Sequence, residues 1–441
     1  MRTTIFTLTM RTRLFKRIRR GAVLNLSFLL LTSGLAALLQ PEFAHAMPPQ
    51  TGVVCTTGTS PNPTVTLDAN DGYIQLPDSN TMYMWGYAPG GGAFQHPGPV
   101  LCVNEGDTVT VILHNTLPEA VSIIFPGQEN VLANGAPAQP QGDGASLTSL
   151  TNVAAANGGS VTYSFVASNP GSYIFESGTN PQKQVRMGLF GALLVRPSMG
   201  ANFAYNRVDS RFTPEEEFMV LLSEIDPYQH QAVEAGQPFN LNNYHPRYWL
   251  INGRGFPDSI SDNFAPFLPD QPYGALARIQ PFNITTHPNP GAIRYFNVGT
   301  EEFPFHPHGN NGLVIGRDGR ALEGPAGQDL SFEKFAINIG PGQTWDVLFK
   351  WHDAENYSEA NPVPVTIPQV NNQEFGMFYS GSPYLGLTGT LPPGASTLNQ
   401  CGEFYIISHN HALFQITSWG VNMTGPITYV RVDPPLPNNC P

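Results

Sequence analysis

The chain has 441 residues, which is long enough for two or three domains with cores of their own. Only 12% of the residues are charged, and the 44 Gly and 42 Pro residues favour short strands separated by turns over a helical protein. The formal charge of −12 argues against nucleic acid and anionic membranes as partners, and it is compatible with attracting cations.

The first 46 residues have the pattern of an export signal. A basic region ending at Arg17–Arg20 precedes an apolar run over residues 21–39, and Ala44–Ala46 offers a small-residue cleavage site. An uncleaved membrane anchor is the alternative, because the run approaches spanning length, but its polar residues favour cleavage. We therefore expect an exported protein, periplasmic or extracellular, with no membrane association after cleavage. Loss of these residues would lower the formal charge to −18, because they carry seven Arg or Lys and one Glu.

The next 150 residues are typical of one β-sandwich. Short apolar runs bounded by turn residues predict about seven strands in this part of the chain. The runs lie at residues 72–76, 82–85, 99–114 (two strands joined by a Gly-Asp turn), 121–125, 160–166, 171–175 and 191–197. We place the first sandwich at residues 47–197 and a linker of mixed charge at residues 198–215.

A second series of strands predicts a second sandwich over residues 216–441. Its runs lie at residues 217–222, 249–253, 293–298, 335–339, 345–349, 403–407 and 427–432. Residues 353–400 are rich in Pro, Gly, Asn and Ser, and they predict a long insertion, either a lid or an inter-subunit contact. The halves repeat each other, which indicates two copies of one fold. The aligned segments are 109–127 with 293–309, 171–178 with 402–411, and 191–197 with 425–434.

Four cysteines, at positions 55, 102, 401 and 440, form an even set in a chain predicted to be exported. Three pairings are open. We predict the two local pairs, Cys55 with Cys102 and Cys401 with Cys440, and the alternative is that some cysteines stay free and buried. None of the four has the spacing of a thiolate metal site.

Two histidine pairs carry the strongest chemical signal. His306 and His308 are two residues apart, as are His409 and His411. Side chains at i and i+2 of a strand leave the same face, so each pair presents two imidazoles to one side. Neutral imidazole binds Cu, Zn, Fe or Ni, and four such nitrogens predict a metal site. The alternative is a structural, hydrogen-bonded histidine cluster.

These features resemble the multicopper oxidases, which are built from cupredoxin (plastocyanin-like) domains, and the likeness spans nearly the whole chain after the export signal. The resemblance implies an all-β fold of two Greek-key β-sandwich domains, the second with the long insertion. Family members carry copper motifs with paired histidines in the first domain and in the last. The two first-domain places are held here by Ile124–Gly127 and Glu176–Gly178, with no histidine in either.

The two last-domain places are only partly kept. His306, His308, His409 and His411 stand where the family has ligands of its oxygen-reducing copper cluster, so four of eight cluster ligands remain. The blue, electron-accepting copper has lost its thiolate, without which it cannot accept and pass on electrons. The resemblance therefore implies that laccase-type oxygen reduction is absent. The residues at the blue-copper positions are Phe303, Asn410, Gln415 and Gly420.

Copper is the first choice of cofactor by resemblance and by affinity order, and zinc is the runner-up. Glu176 either completes the coordination or pairs with Lys183 or Arg186. We predict an exported copper-binding protein, with two readings of its role. One is an oxidoreductase with a reduced, non-blue copper site acting on a small molecule, a metal ion or oxygen. The other is a non-catalytic copper carrier or a structural subunit.

The electron partner stays open, and the resemblance implies a homotrimer, as in two-domain relatives. The remaining histidines lack partners at ligand spacing, so we expect them on the surface or at interfaces. They are His96, His114, His230, His245, His287 and His352.

Overall fold

The structure is a computed structural model that describes residues 51–143, 146–353, 356, 379–381, 385–386 and 400–441. The predicted export signal and most of the predicted insertion lie outside these residues. Within the described ranges, no helix is both long enough and apolar enough to cross a membrane.

Residues 55–196 form two main sheets that face each other, one in the strand order β1-β4-β12-β11 and the other in the order β3-β2-β5-β10-β6-β7. A short helix, α1 (Pro181–Gln184), precedes β12, and β8 pairs with β9. The strands are β1 Cys55–Thr56, β2 Thr64–Gln75, β3 Thr81–Pro89, β4 Val100–Asn104, β5 Thr108–Asn115, β6 Leu132–Ala133, β7 Ala136–Pro137, β8 Gln141–Gly142, β9 Leu147–Ser149, β10 Gly159–Val166, β11 Gly171–Glu176 and β12 Phe190–Arg196.

Residues 217–432 form a second pair of sheets, with the strand orders β14-β13-β16-β22-β18-β19 and β15-β27-β24-β17-β21. Strand β20 adds to the first of these through β18, β23 adds to the second through β24, and β25 pairs with β26. Helix α2 (Pro227–Glu234) follows β13. The strands are β13 Glu217–Ile225, β14 Tyr248–Ile251, β15 Ala277–Ile279, β16 Gly291–Asn297, β17 Phe303–Pro307, β18 Gly312–Arg317, β19 Arg320–Ala321, β20 Phe332–Lys334, β21 Ile337–Ile339, β22 Thr344–Phe349, β23 Tyr379–Gly381, β24 Phe404–Asn410, β25 Thr417–Ser418, β26 Val421–Asn422 and β27 Ile427–Val432.

The all-β prediction is confirmed, and nearly every apolar run of the sequence is a strand. The run at residues 121–125 is the exception, because it makes only isolated bridges, from Val121 to Ala154 and from Ile124 to Glu176. Each pair of sheets encloses an apolar core in which alternate side chains of facing strands meet, as the period of two predicts.

The two pairs of sheets also pack on each other. Strands β4 and β12 bury Val100 and Leu194 against Met219 and Leu221 of β13. Both faces of β12 are therefore covered, which explains why its sequence is a continuous apolar run instead of an alternating one.

Buried charges lie along the same junction. Glu217 accepts from Arg196 at 2.6 Å and from Arg294 at 2.8 Å, and Arg294 also pairs with Asp346 at 3.0 Å. Asp346 in turn accepts from the hydroxyl of Ser172 at 2.5 Å. Burial raises the pKa of the Glu217 carboxyl, but the two guanidinium groups outweigh burial and lower it. The network therefore ties β11 and β12 to β13, β16 and β22.

The four cysteines form the two predicted disulfides, Cys55–Cys102 and Cys401–Cys440. The first joins β1 to β4, and the second ties the segment before β24 to the carboxy-terminal segment. The local pairing is therefore confirmed, and no cysteine stays free.

Two of the remaining histidines, His96 and His230, are wholly buried. His230 Nδ1 donates to the carbonyl oxygen of Tyr83 at 2.7 Å, whereas neither ring nitrogen of His96 has a partner among the described residues. Burial lowers the pKa of His96 to about 3, helped by His230, and lowers that of His230 to about 4. Both imidazoles are therefore neutral in the folded protein at pH 7.

This burial predicts acid sensitivity. The unfolded chain has histidine pKa values near 6.5, so it binds more protons than the folded chain once the pH falls below that value. Each histidine should then cost about 1.4 kcal/mol of unfolding free energy per pH unit until the pH reaches its folded pKa. Urea unfolding at pH 7, 6 and 5 measures this slope. It should be shallower in His96→Gln than in the wild type and in His114→Gln, whose exposed ring pairs with Asp68; equal slopes in all three proteins would contradict the account.

Candidate metal centre

The two histidine pairs lie on neighbouring strands. Strands β17 and β24 are antiparallel, and His306 is directly opposite His409 in their register. His308 and His411 each follow two residues later in the chain, so all four side chains leave the same face of this strand pair. The structure thus brings together all four residues that the sequence singles out.

The four imidazole rings form a close cluster. The ring centres of His306 and His308 are 4.5 Å apart, those of His308 and His409 are 5.2 Å apart, and those of His306 and His411 are 5.6 Å apart. The Nε2 atoms of His308 and His409 are separated by only 3.1 Å. The cluster is half open to solvent, because His409 is buried while His411 is exposed.

Backbone carbonyls orient two of the rings. His306 Nδ1 is 2.7 Å from the carbonyl oxygen of Phe335, and His409 Nδ1 is 2.8 Å from that of Asn410. A carbonyl oxygen accepts a hydrogen bond, so Nδ1 carries the proton in both rings and Nε2 carries the lone pair. This is the arrangement that metal-binding histidines require of their second nitrogen.

The electrostatic surroundings favour the neutral form of these rings. Burial, helped by the neighbouring His306, His409 and His411, lowers the pKa of His308 to about 4. Burial also lowers the pKa of His409. Both imidazoles are therefore unprotonated near pH 7, which is the form that binds metals.

The donor set fits a copper ion. Imidazole nitrogens suit copper, and the ring centre of His306 lies 4.5 Å from that of His308 and 5.7 Å from that of His409. No three of the nitrogens lie within 4.8 Å of one another as the side chains stand, so a common ion requires the rings to turn. The described residues contain one closer group, Cys401, Asp433 and Cys440, but its sulfurs form a disulfide.

A hydrogen-bonded chain occupies the blue-copper positions. The Asn410 side-chain amide donates to Gln415 Oε1, and Gln415 Nε2 donates to Glu301 Oε2 at 2.7 Å. The indole of Trp249 donates to the same carboxylate oxygen at 2.9 Å. Phe303 is fully buried in the core nearby. Sequence reasoning missed Glu301 and Trp249, because neither stands at a motif position.

The first-domain motif positions, at residues 124–127 and 176–178, hold no histidine. Burial raises the pKa of Glu176 to about 7, and the described residues include no ion pair of its carboxylate. The alternative pairing with Lys183 or Arg186 is wrong, because Lys183 pairs with Glu119 and Arg186 stacks on the Tyr244 ring at 3.7 Å.

A cavity of about 550 Å³ opens beside Gly178, one of the first-domain motif positions. Its wall includes Ser149 and Thr179, whose hydroxyl groups are 2.9 Å apart. The cavity is lined mainly by leucine, amide and hydroxyl groups together with the carboxylate of Glu119, and its lining includes no histidine or cysteine. This part of the first sandwich therefore provides no ligand set for copper.

Comparison with known proteins supports the resemblance to the multicopper oxidases. Residues 84–200 match the family model described as multicopper oxidase. L-ascorbate oxidase of Cucumis sativus is 28% identical over 326 residues, which cover 69% of this chain and 47% of that protein. L-ascorbate oxidase of Cucurbita maxima is 32% identical over 168 residues, 36% of this chain and 25% of that protein. The chain thus spans about half, or less, of the length of these curated relatives.

The solved structure of the multicopper oxidase mgLAC superposes with a TM-score of 0.56 at 19% identity, covering 84% of this chain and 86% of that one. At this identity the likeness shows the cupredoxin fold. The chain is therefore related to the multicopper oxidases, and the family prediction made from its motifs is confirmed. This relationship implies copper as the metal and gives no support to the zinc alternative.

Proposed function

We propose that the protein binds one copper ion through His306, His308, His409 and His411. The observation that carries the proposal is the register of β17 and β24, which sets His306 opposite His409 and gathers four imidazoles on one face. The 3.1 Å separation of the Nε2 atoms of His308 and His409 supports it, because it brings two imidazole nitrogens close enough to approach the same cation.

The proposed activity is that of an oxidoreductase with a non-blue copper site. Copper supplies one-electron redox chemistry when bound. The Phe335 and Asn410 carbonyls hold the Nδ1 protons of His306 and His409, which leaves Nε2 of each ring as the ligand atom. The exposed position of His411 leaves one side of the site open, so a phenol, a metal ion, nitrite or oxygen could reach it directly.

The residues at the blue-copper positions argue against a second copper that would pass electrons to the histidine site. Asn410 and Gln415 use their amides on each other and on Glu301, and no thiolate stands among them. Laccase-type four-electron reduction of oxygen is not proposed for this chain, because it needs both the blue copper and the four first-domain histidines that are absent.

The second candidate function is a copper carrier without catalysis. The same exposure of His411 favours it, because an ion on an open sheet face can be handed to a partner. The carrier and the enzyme share the four ligands and differ in turnover, so one set of measurements separates them.

We further propose export and self-association. The disulfides are typical of an oxidising compartment, in line with the predicted signal. Large apolar side chains are exposed both beside the histidine cluster, at Leu413 and Phe414, and beside the first-sandwich cavity, at Leu147 and Leu150. Such surfaces mark interaction sites, and the homotrimer that the resemblance implies is the form of self-association we propose. Sedimentation of the purified protein tests this point.

The test loads purified protein with copper and records its electron paramagnetic resonance spectrum and its turnover of phenols, metal ions and nitrite. The proposal expects a type 2 signal, no intense blue band, and loss of both signal and turnover in His306→Ala. His114→Ala, whose ring pairs with Asp68 in the first sandwich, is the matched control. Binding without turnover selects the carrier, and a copper-free wild-type protein contradicts both candidates.

A further inference from the structure

The chain of hydrogen bonds at the blue-copper positions reaches the histidine cluster. Glu301 accepts from both Trp249 and Gln415, Gln415 accepts from Asn410, and the Asn410 backbone carbonyl accepts from His409 Nδ1. Beyond His409, its Nε2 faces His308 at 3.1 Å. A continuous series of polar contacts therefore joins a half-buried carboxylate to the proposed copper ligands.

Asn410 links the hydrogen bonds of Glu301 and Gln415 to His409. Its backbone N–H donates to the Pro426 carbonyl at 3.1 Å, and the next N–H, of His411, donates to the Pro304 carbonyl at 2.7 Å. The peptide group that follows Asn410 is thus held on one side by β17, while the side chain is anchored by Gln415. Its carbonyl oxygen is left in the position where it meets His409 Nδ1.

The amides are buried at a cost in stability. Asn410 is fully buried and Gln415 nearly so, and the Asn410 Oδ1 atom has no hydrogen-bond partner within the described ranges. Apolar residues of similar volume would fill this space without an unsatisfied acceptor. The buried amides therefore stabilise the fold less than apolar residues of the same volume would.

We propose that Glu301, Gln415 and Asn410 are positioning residues that fix the orientation and tautomer of His409. The side chains of these residues stand at or beside the blue-copper positions. Their hydrogen bonds hold the loop between His409 and Gln415 in the absence of metal. The proposal rests on copper binding by the four histidines for its biological meaning. The orientation and tautomer of the His409 ring, however, are properties of the metal-free protein and can be measured without copper.

The test compares Gln415→Met, which keeps the size of the side chain and loses its amide contacts with Asn410, Glu301 and the Glu302 carbonyl, with Glu301→Gln, which keeps an acceptor oxygen. Nitrogen NMR of histidine-labelled, metal-free protein reports the His409 tautomer, with His409→Ala used to assign the signal. We expect a single Nδ1–H tautomer in the wild type and in Glu301→Gln, and a mixture of tautomers in Gln415→Met. Copper affinity, measured by chelator competition, should fall by roughly 10- to 100-fold in Gln415→Met.

An unchanged tautomer in Gln415→Met overturns the inference, whatever its copper affinity. A wild-type protein that binds no copper, combined with a changed tautomer in the variant, overturns the proposed function and leaves the positioning network standing. Circular dichroism checks folding. If Gln415→Met does not fold, Glu301→Leu breaks the same chain at its half-exposed end and is subject to the same readouts.

Discussion

Replacing His409 with alanine is expected to lower copper affinity by more than the roughly 10- to 100-fold that loss of an outer hydrogen-bond partner costs a metal site. His409 is the most buried of the four histidines, it faces His308, and it is opposite His306 on the neighbouring strand. Its removal leaves three imidazoles, of which His411 is exposed. Chelator competition and isothermal titration calorimetry measure the loss.

The matched control for this prediction is His114→Ala. His114 lies on β5 of the first sandwich, where its half-exposed ring contacts Asp68. Its replacement should leave copper affinity unchanged. If His409→Ala retains the wild-type affinity, or if both variants lose affinity to the same extent, then the four histidines are not the copper ligands.

Replacing Arg294 with methionine is expected to lower the unfolding free energy by about 3–5 kcal/mol, because removal of one partner of a buried ion pair leaves the other charge uncompensated. Arg294 is 3% exposed and contacts both Glu217 and Asp346. Without it, the described residues leave Glu217 with Arg196, and Asp346 with the hydroxyl donors of Ser172 and Tyr205. The network joins the two sandwiches, so the loss should appear in the cooperative unfolding of the whole chain.

Arg317→Met is the control for the ionic network. Arg317 pairs with Asp318 at 3.2 Å on the surface, with both side chains well exposed. Surface pairs of this kind contribute about 0–1 kcal/mol, so the variant should unfold close to the wild type in urea. Equal effects of the two substitutions would show that the buried network contributes no more than a surface pair.

The fold follows from the sequence to a large extent because strand signals are local. Alternating runs such as residues 160–166 predict their strands, and the continuous apolar run at residues 191–195 is typical of a strand covered on both faces. The predicted strand at residues 121–125 is wrong for a physical reason. That segment is apolar and buried, but it has no continuous neighbouring strand with which to form a ladder.

The candidate site could be predicted only in part. The spacing of His306 with His308 and of His409 with His411 fixes which rings share a face within each strand. It does not fix which strands are neighbours, and the pairing of His306 with His409 depends on a register set by contacts about a hundred residues apart.

The supporting groups were beyond prediction for the same reason. Glu301 lies 114 residues from Gln415 and 52 residues from Trp249, and no periodic pattern connects them. The Phe335 contribution is a backbone carbonyl, which any residue type would supply. Sequence patterns report side-chain chemistry, whereas these contacts depend on the path of the main chain.

The copper content of the protein purified from its own compartment, without added metal, tests the central claim most directly. Metal analysis by mass spectrometry should find about one copper per chain, and the copper should be absent from His409→Ala prepared in the same way. A wild-type protein without copper, or one that carries copper equally in the variant, would contradict the claim that the four imidazoles of β17, β24 and the residues after them form a copper site.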